Sequence, residues 1–319
     1  MAEQPRALIV AGPTCSGKSA LALGLAEALG GVVINADSMQ VYRELRIVTA
    51  RPSPADEARA PHRLYGVRPA AEPGSAAWWR GAALVEMEAA SRQGRLPILC
   101  GGTGLYFAAL TAGLAAIPDP GAAARAEARR LLAELGAPGL YARLAAADPE
   151  TAARLRPTDG QRLARAWEVW RGTGRGLAAW HRAGAQPAPW RFAAIRVDPP
   201  RAALRMAIAA RFAAMVEQGA LDEVAALLAQ RLDSRLPAMR ALGVPELAAH
   251  LRGEIDLAEA MRRAELATGR YTKRQATWLR HHPLAPAASV HTIHARVAEL
   301  TQFSESERGE VFNFIQRAG

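Results

Sequence analysis

Four groups of residues in this chain have types and spacings that can do chemistry. Gly12-Pro13-Thr14-Cys15-Ser16-Gly17-Lys18-Ser19 is a glycine, four residues, then Gly-Lys-Ser. That is the pattern of a loop whose backbone N–H groups cradle phosphate oxygens. Lys18 would supply a point charge, and Ser19 a hydroxyl for Mg²⁺, directly or through water. Asp37, in Asp37-Ser38-Met39-Gln40, offers a carboxylate that can hold Mg²⁺ or accept a proton. The same stretch also suits a helix start, with Asp37 or Ser38 capping a helix through Val41 and Leu45. Gly101-Gly102-Thr103-Gly104 joins a hydroxyl to three glycines that permit close backbone approach to a ligand. Gln161 and Arg165, in Gln161-Arg162-Leu163-Ala164-Arg165, stand four apart on one helix face. They can contact bases and phosphates, or form an ordinary solvated face.

Positioning these groups requires particular elements. Residues 7–11 are an apolar run entering Gly12-Pro13, which reads as a buried parallel strand; a helical pattern follows from Leu21 to Leu29. Val32-Val33-Ile34 is a second strand with Asp37 just beyond it, and Leu96 to Cys100 a third, closed by the glycine cluster. Loops at strand ends in a strand–helix–strand alternation argue for a doubly wound α/β fold, with a parallel sheet of the phosphate-loop nucleoside-triphosphate-hydrolase type. From about 121 to 182, Ala, Arg, Leu and Glu recur at helical spacing, with breaks at Pro138-Gly139, Asp148-Pro149 and Pro157. Residues 192–197 resemble a strand returning to the sheet, and 200–230 and 256–280 are helical again. The expected organisation is a core at 1–112, an all-helical insertion at 113–186, the rest of the core at 187–300, and a tail at 301–319. The tail gains Phe303, Phe312 and Phe314 and is assigned no function.

Composition limits the class. Half of the 319 residues are hydrophobic, which excludes a disordered chain, and two cysteines cannot build a disulfide scaffold. No apolar run approaches the ~18 residues of a membrane span, and the first residues lack a signal-peptide pattern, so a soluble cytoplasmic protein is expected. Cys15 and Cys100 read as reduced space-fillers, and the histidines form no metal-ligand set. The net charge is +10, and the excess lies after residue 112, +4 within 113–182 and +4 within 200–282. A polyanionic partner or solvated arginine-rich faces both account for it. The third strand lacks an acidic residue at its end, which counts against simple nucleotide hydrolysis.

Together these segments resemble the bacterial tRNA dimethylallyltransferases, also called tRNA isopentenyltransferases. The likeness runs from about residue 7 to 281. Besides the groups above it includes Val41-Tyr42, Thr49-Ala50-Arg51-Pro52, Pro61-His62-Arg63-Leu64, Leu105-Tyr106, Ala166, Arg211-Phe212, Lys273-Arg274-Gln275 and Thr277-Trp278-Leu279. The resemblance implies transfer of a dimethylallyl group from dimethylallyl diphosphate to N6 of the adenine immediately 3′ of the anticodon in tRNA. It implies Mg²⁺ as cofactor, Asp37 as the general base, and Thr103 and Arg211 at the oxygen that leaves with diphosphate. It also implies that Asp37, Ser38, Met39, Gln40 and Thr103 read the extruded base. Gln161, Arg162, Leu163, Ala164 and Arg165, with Arg125, would grip the anticodon stem-loop; a monomer is expected. The chain departs from the family pattern at Val48, Val244-Pro245 and Gly269-Arg270; Val48 cannot use positive φ as a glycine can. A small-molecule phosphate-loop kinase leaves the insertion unexplained. An isopentenyltransferase acting on free adenine nucleotides does not need it, and a non-enzymatic RNA-binding protein leaves Lys18, Asp37 and Thr103 without a role.

Overall fold

Apolar runs four to seven residues long become central strands here because helices cover both faces of one parallel sheet. The structure is a computed structural model that describes residues 4–317. Its elements are β1 (Arg6–Ala11), α1 (Lys18–Leu29), β2 (Val32–Asn35), α2 (Pro54–Arg59), β3 (His62–Arg63), α3 (Ala76–Arg92), β4 (Pro97–Gly101), α4 (Gly104–Thr111), α5 (Gly121–Ala147), α6 (Pro149–Ala152), α7 (Gly160–Thr173), α8 (Leu177–Arg182), β5 (Arg191–Val197), α9 (Arg201–Glu217), α10 (Ala220–Ala229), α11 (Val244–Leu251), α12 (Leu257–His281), β6 (Val290–Ile293) and α13 (Glu305–Arg317). The sheet has six strands in the order β3-β2-β4-β1-β5-β6, and every pairing is parallel. The short β3 and β6, each carrying polar residues, are the edges. Among the described residues no helix is long and apolar enough to cross a membrane.

The chain divides into two compact units. One comprises the residues up to Thr111 and from Ala188 onward, and the other is Ala112–Pro187. In the first unit, one face of the sheet packs Ile9, Ile34 and Leu99 with Trp79, Met87 and Phe107 from α3 and α4. The opposite face packs Leu8, Val33 and Ile98 with Leu21 and Leu25 of α1 and with Val311 and Ile315 of α13. The 301–319 segment thus holds a helix that covers the sheet. A third apolar cluster joins Val41, Tyr42, Leu45 and Val48 to α9, α10 and α11. Burying a side chain of the size of Leu or Phe contributes roughly 1.5–3 kcal/mol, so these layers hold the sheet closed.

The second unit has its own core of Leu131, Leu140, Leu144, Leu163 and Trp167. Its long helix α5 kinks at Gly136, which adopts φ 65°, and Asp148 both ends α5 and caps α6 through the Thr151 amide. Asp159 caps α7 by accepting from the Arg162 amide.

The register places the chemistry. Ala11 is level with Gly101, and Asn35 with Cys100. The loops after β1, β2 and β4 therefore emerge side by side at the carboxyl edge, where doubly wound sheets bind ligands.

Candidate active site

The phosphate loop follows β1 and runs into α1. Gly17, with φ 90°, and Cys15, with φ 66°, adopt left-handed backbone, so the amides turn as in an anion-binding nest. Lys18 is buried, with Nζ 3.5 Å from the carbonyl of Pro13. Ser19 lines a cavity of about 430 Å³ together with Lys18, Asp37, Gln40 and Arg211. One amide of the loop has another use: Thr14 N–H donates to Oε1 of Gln275 at 2.9 Å.

Residues 38–53 form no helix, so Asp37 and Ser38 are not helix caps. Asp37 is held instead by an Asx turn, its Oδ1 accepting from the Met39 amide at 2.9 Å. Behind it lies Asn35, fully buried. The Asn35 Oδ1 accepts from the Asp37 amide at 2.8 Å, and its Nδ2 donates to the carbonyls of Asp37 and Leu64 at 3.0 Å. A buried amide with these partners satisfied fixes the turn, since each unpaired group would cost about 1–3 kcal/mol. Gln40 uses Nε2 to hold the carbonyls of Thr49 and Ala50, both at 2.9 Å. Its amide nitrogen therefore shapes the loop.

Thr103 Oγ1 accepts from the Ser38 amide at 3.0 Å and lies 3.3 Å from the Ser38 hydroxyl, joining the loops after β2 and β4. The glycines around it have a purpose that differs from the expected one. A Cβ on Gly101 would meet the Ala36 carbonyl oxygen at 2.1 Å, one on Gly102 the Gln275 amide at 2.2 Å, and one on Gly104 the Trp278 ring at 2.2 Å. The space they leave is filled by the protein's own backbone and α12.

Helix α9 brings Ile208, Arg211, Phe212 and Met215 to the cavity, at the spacing of one helix face. Arg211 donates from Nη2 to the Thr49 carbonyl at 3.2 Å and places Nη1 3.7 Å from Cys15 Sγ, against the phosphate loop. Val48, Phe212 and Met215 form an apolar wall beside it. Val48 needs no positive φ, because the positive φ of this loop falls on Ala50 at 49°. A Cβ on Gly243 would meet the Phe212 ring at 2.9 Å and Val48 at 3.1 Å, so Gly243 makes room for this wall. Val244 and Pro245 open α11, with Glu246 accepting from the Gly243 amide at 3.2 Å. Gly269 lies in the middle of α12, and a Cβ there would meet nothing within 4 Å.

Glu223 and Tyr271 were not singled out from the sequence, and Gln275 was named only within Lys273-Arg274-Gln275, without a role of its own. Glu223 accepts from the amides of Arg46 and Ile47 at 2.7 Å and of Val48 at 2.9 Å, so it holds the loop that carries Thr49. Gln275, buried in α12, links the phosphate loop to the glycine cluster by accepting from Thr14 and donating to the Gly102 carbonyl at 3.0 Å. Tyr271, one turn earlier, lines the cavity. Burial, reinforced by the nearby Asp37 carboxylate, pushes its phenol up to about 12 against the pull of Arg274 and the Thr103 hydroxyl. The signal for all of α12 is its buried face, Ala264, Thr268, Thr272, Gln275 and Leu279, which follows a helical period. Burial likewise pushes the Cys100 thiol up to about 11, despite Lys18 and a hydrogen bond with Ser19.

In the second unit Gln161, Arg162 and Arg165 lie exposed at the start of α7, while Leu163 is buried in that unit's core and Ala164 is half-buried. The Leu163 side chain therefore packs rather than presenting a contact. Arg165 pairs with Glu168 at 2.6 Å and Arg162 with Asp159 at 3.4 Å. Arg125 pairs with Asp119, whose carboxyl is held low by the Gly121 amide and then by Arg125 and Arg165. Arg125 thus belongs to the same patch as Arg165. Exposed pairs of this kind contribute little to stability and can exchange for phosphate.

Fold and site define a phosphate-loop α/β protein with a carboxylate and an apolar wall facing its anion cradle. Comparison with known proteins narrows this class. The IPP transferase family model matches residues 40–282, and the isopentenyl transferase model matches residues 5–72. A tRNA dimethylallyltransferase of Granulibacter bethesdensis is 64% identical over 98% of this chain and 99% of its own. That of Gluconacetobacter diazotrophicus is 63% identical over 97% and 93%. Among solved structures, the tRNA isopentenylpyrophosphate transferase of Bacillus halodurans matches with TM-score 0.68 at 29% identity, covering 99% of this chain and 97% of that one. A eukaryotic dimethylallyltransferase shares the fold at TM-score 0.81 and 23% identity, covering 98% and 80%. The chain belongs to the IPP transferase family.

The half-buried phenol makes a prediction. With its folded value raised from 10.0 to about 12, Tyr271 contributes stability that is full below pH 10.0 and lost as pH rises towards 12. Tyr271→Phe should flatten that part of the alkaline fall in denaturation free energy. An identical fall in both proteins would place the phenol in solvent.

Proposed function

We propose that this chain transfers a dimethylallyl group from dimethylallyl diphosphate to N6 of the adenine immediately 3′ of the anticodon in tRNA, releasing diphosphate. The single observation that carries the reading is the shared cavity. Lys18 and Arg211 lie at a phosphate loop, Val48, Phe212 and Met215 form an apolar wall, and Asp37 stands on the same rim. A prenyl diphosphate needs both a cation cradle and an apolar slot. A small-molecule kinase has no use for the apolar wall at its phosphate loop. The names of the relatives at 64% and 63% identity support the same activity.

The residues then divide the work. The phosphate loop and Lys18 hold the diphosphate, and Arg211, anchored by the Thr49 carbonyl, faces the oxygen that leaves. Donors aimed where charge develops lower the barrier to C–O cleavage. Thr103 is the hydroxyl donor on the opposite loop. As the C–O bond breaks and the C–N bond forms, Asp37 accepts the proton of the exocyclic amine, a poor nucleophile without a base. Ser38, Met39 and Gln40 border the base, which must leave its stack at a cost of a few kcal/mol. Mg²⁺ fits the hard oxygen donor that the Ser19 hydroxyl offers at the cavity. Mg²⁺ typically shares such a site with substrate phosphates and water, and when bound it would neutralise charge on the departing diphosphate. The exposed patch of Gln161, Arg162, Arg165 and Arg125 is the proposed grip on the anticodon stem-loop, with the protein acting as a monomer in the cytoplasm.

Incubation with labelled dimethylallyl diphosphate, Mg²⁺ and either tRNA or AMP should label tRNA. Label on AMP alone would contradict the assignment. Replacing both Gln161 and Arg165 by Ala should weaken tRNA binding by about tenfold or more with diphosphate binding intact. Equal loss of both ligands would indicate misfolding rather than a lost grip.

A further inference from the structure

The IPP transferase match ends at residue 282, before a segment that the structure lays against the phosphate loop. After β6 the chain turns at residues 294–297 and crosses the start of α1. Val297, fully buried, donates its amide to the Ser16 carbonyl at 3.0 Å. Its own carbonyl oxygen lies so close to Gly17 that a Cβ there would come within 1.6 Å of it. Gly17 is thus glycine for two reasons, its φ of 90° and this close approach. Further along, Leu300 packs where a Cβ on Gly24 would stand 2.9 Å away. The turn is braced from within, Gln302 accepting from the Ala298 amide at 2.6 Å and donating to the Arg296 carbonyl at 3.0 Å. Helix α13 then closes over the sheet through Val311 and Ile315.

This packing aims one cation. Arg296 donates from Nε to the carbonyl of Cys15 at 3.2 Å and lines the same cavity as Lys18, Ser19 and Arg211. No carboxylate pairs with Arg296 among the described residues, whereas Arg46, Arg59, Arg165 and Arg280 each hold one. A guanidinium anchored by one nitrogen to the phosphate-loop backbone keeps its two remaining nitrogens for an anion, in the fork that suits phosphate oxygens.

Resting on the proposed reading of the cavity as a diphosphate site, we infer that Arg296 is a further diphosphate-binding residue, delivered by the 294–303 strap. The strap and α13 therefore serve the donor site: they hold Arg296 at the rim, against the Cys15 carbonyl. Lys18 from α1, Arg211 from α9 and Arg296 from beyond β6 are three of the five cations lining the cavity, with Arg240 and Arg274.

The test is titration of inorganic diphosphate with Mg²⁺ into the full chain, comparing wild type with Lys18→Ala, Arg296→Ala and Arg296→Met. The Met variant keeps an unbranched apolar stem, which separates lost charge from lost packing, and the thermal midpoint is measured on each protein. We expect both Arg296 variants to weaken diphosphate binding by about tenfold or more, with Arg296→Lys recovering part of the loss and tRNA affinity unchanged. Weakened binding in Lys18→Ala with wild-type affinity in both Arg296 variants would overturn the inference and leave the phosphate-loop reading standing. Failure of the wild type to bind diphosphate, or an unaffected Lys18→Ala, would overturn that reading and the inference with it.

Discussion

The site depends on backbone hydrogen bonds that continue past the ends of the strands. The Ala36 amide donates to the Cys100 carbonyl at 2.7 Å, the Thr103 amide to the Ala36 carbonyl at 3.2 Å, and the Gly12 amide to the Gly101 carbonyl at 3.3 Å. Three loops that would otherwise wander are thereby tied in register at their first residues. Only a glycine at 101 tolerates the approach of the Ala36 backbone, and only one at 102 leaves room for Gln275. Gln275 then completes the tie by spanning the phosphate loop and the glycine cluster from α12. Loss of its side chain would leave the Thr14 amide and the Gly102 carbonyl unpaired, at about 1–3 kcal/mol each. That exceeds the ~0.5–1.5 kcal/mol such bonds add when made, so losing the clamp costs more than forming it contributes.

The electrostatics follow from that geometry. Lys18, Arg211 and Arg296 line one cavity because the phosphate loop, α9 and the segment after β6 converge on it. Asp37 sits on the neighbouring loop, oriented by the Asx turn and by Asn35. The apolar wall arises from the helix face that also carries Arg211, so one helix sets both the charged and the apolar side of the cavity. Glu223 supports this from a distance: by binding three successive amides at 46–48 it fixes the carbonyl of Thr49, which in turn holds Arg211.

Much of this was legible beforehand, and the exceptions have physical reasons. The strands β1, β2 and β4 announce themselves as unbroken apolar runs, because a parallel strand covered on both faces needs no alternation. The phosphate loop is a fixed spacing in that context, and its neighbours follow from the doubly wound topology. By contrast β3 is two residues, His62 and Arg63, and β6 is Val-His-Thr-Ile, so neither edge strand shows a pattern strong enough to read. The glycines at 101, 102 and 104 pointed correctly to close approach but not to what approaches. Gln275 stood in Lys273-Arg274-Gln275 without a role of its own; that role appears only when the buried face of α12 is followed turn by turn. Glu223 lies some 175 residues from the amides it binds, a pairing no local spacing reveals. Leu163 shared a motif with exposed neighbours, yet the helical period turns it into the core.

The central claim is that the rim holds donor and base independently: the phosphate loop binds, and Asp37 moves the proton. Diphosphate affinity and the single-turnover rate of prenyl transfer to tRNA, measured on the same Asp37→Asn protein, test it most directly. Affinity is expected to stay unchanged and the rate to fall by about 10²–10⁴-fold, the range for loss of a general base. A wild-type rate, or loss of affinity in step with the rate, would contradict it.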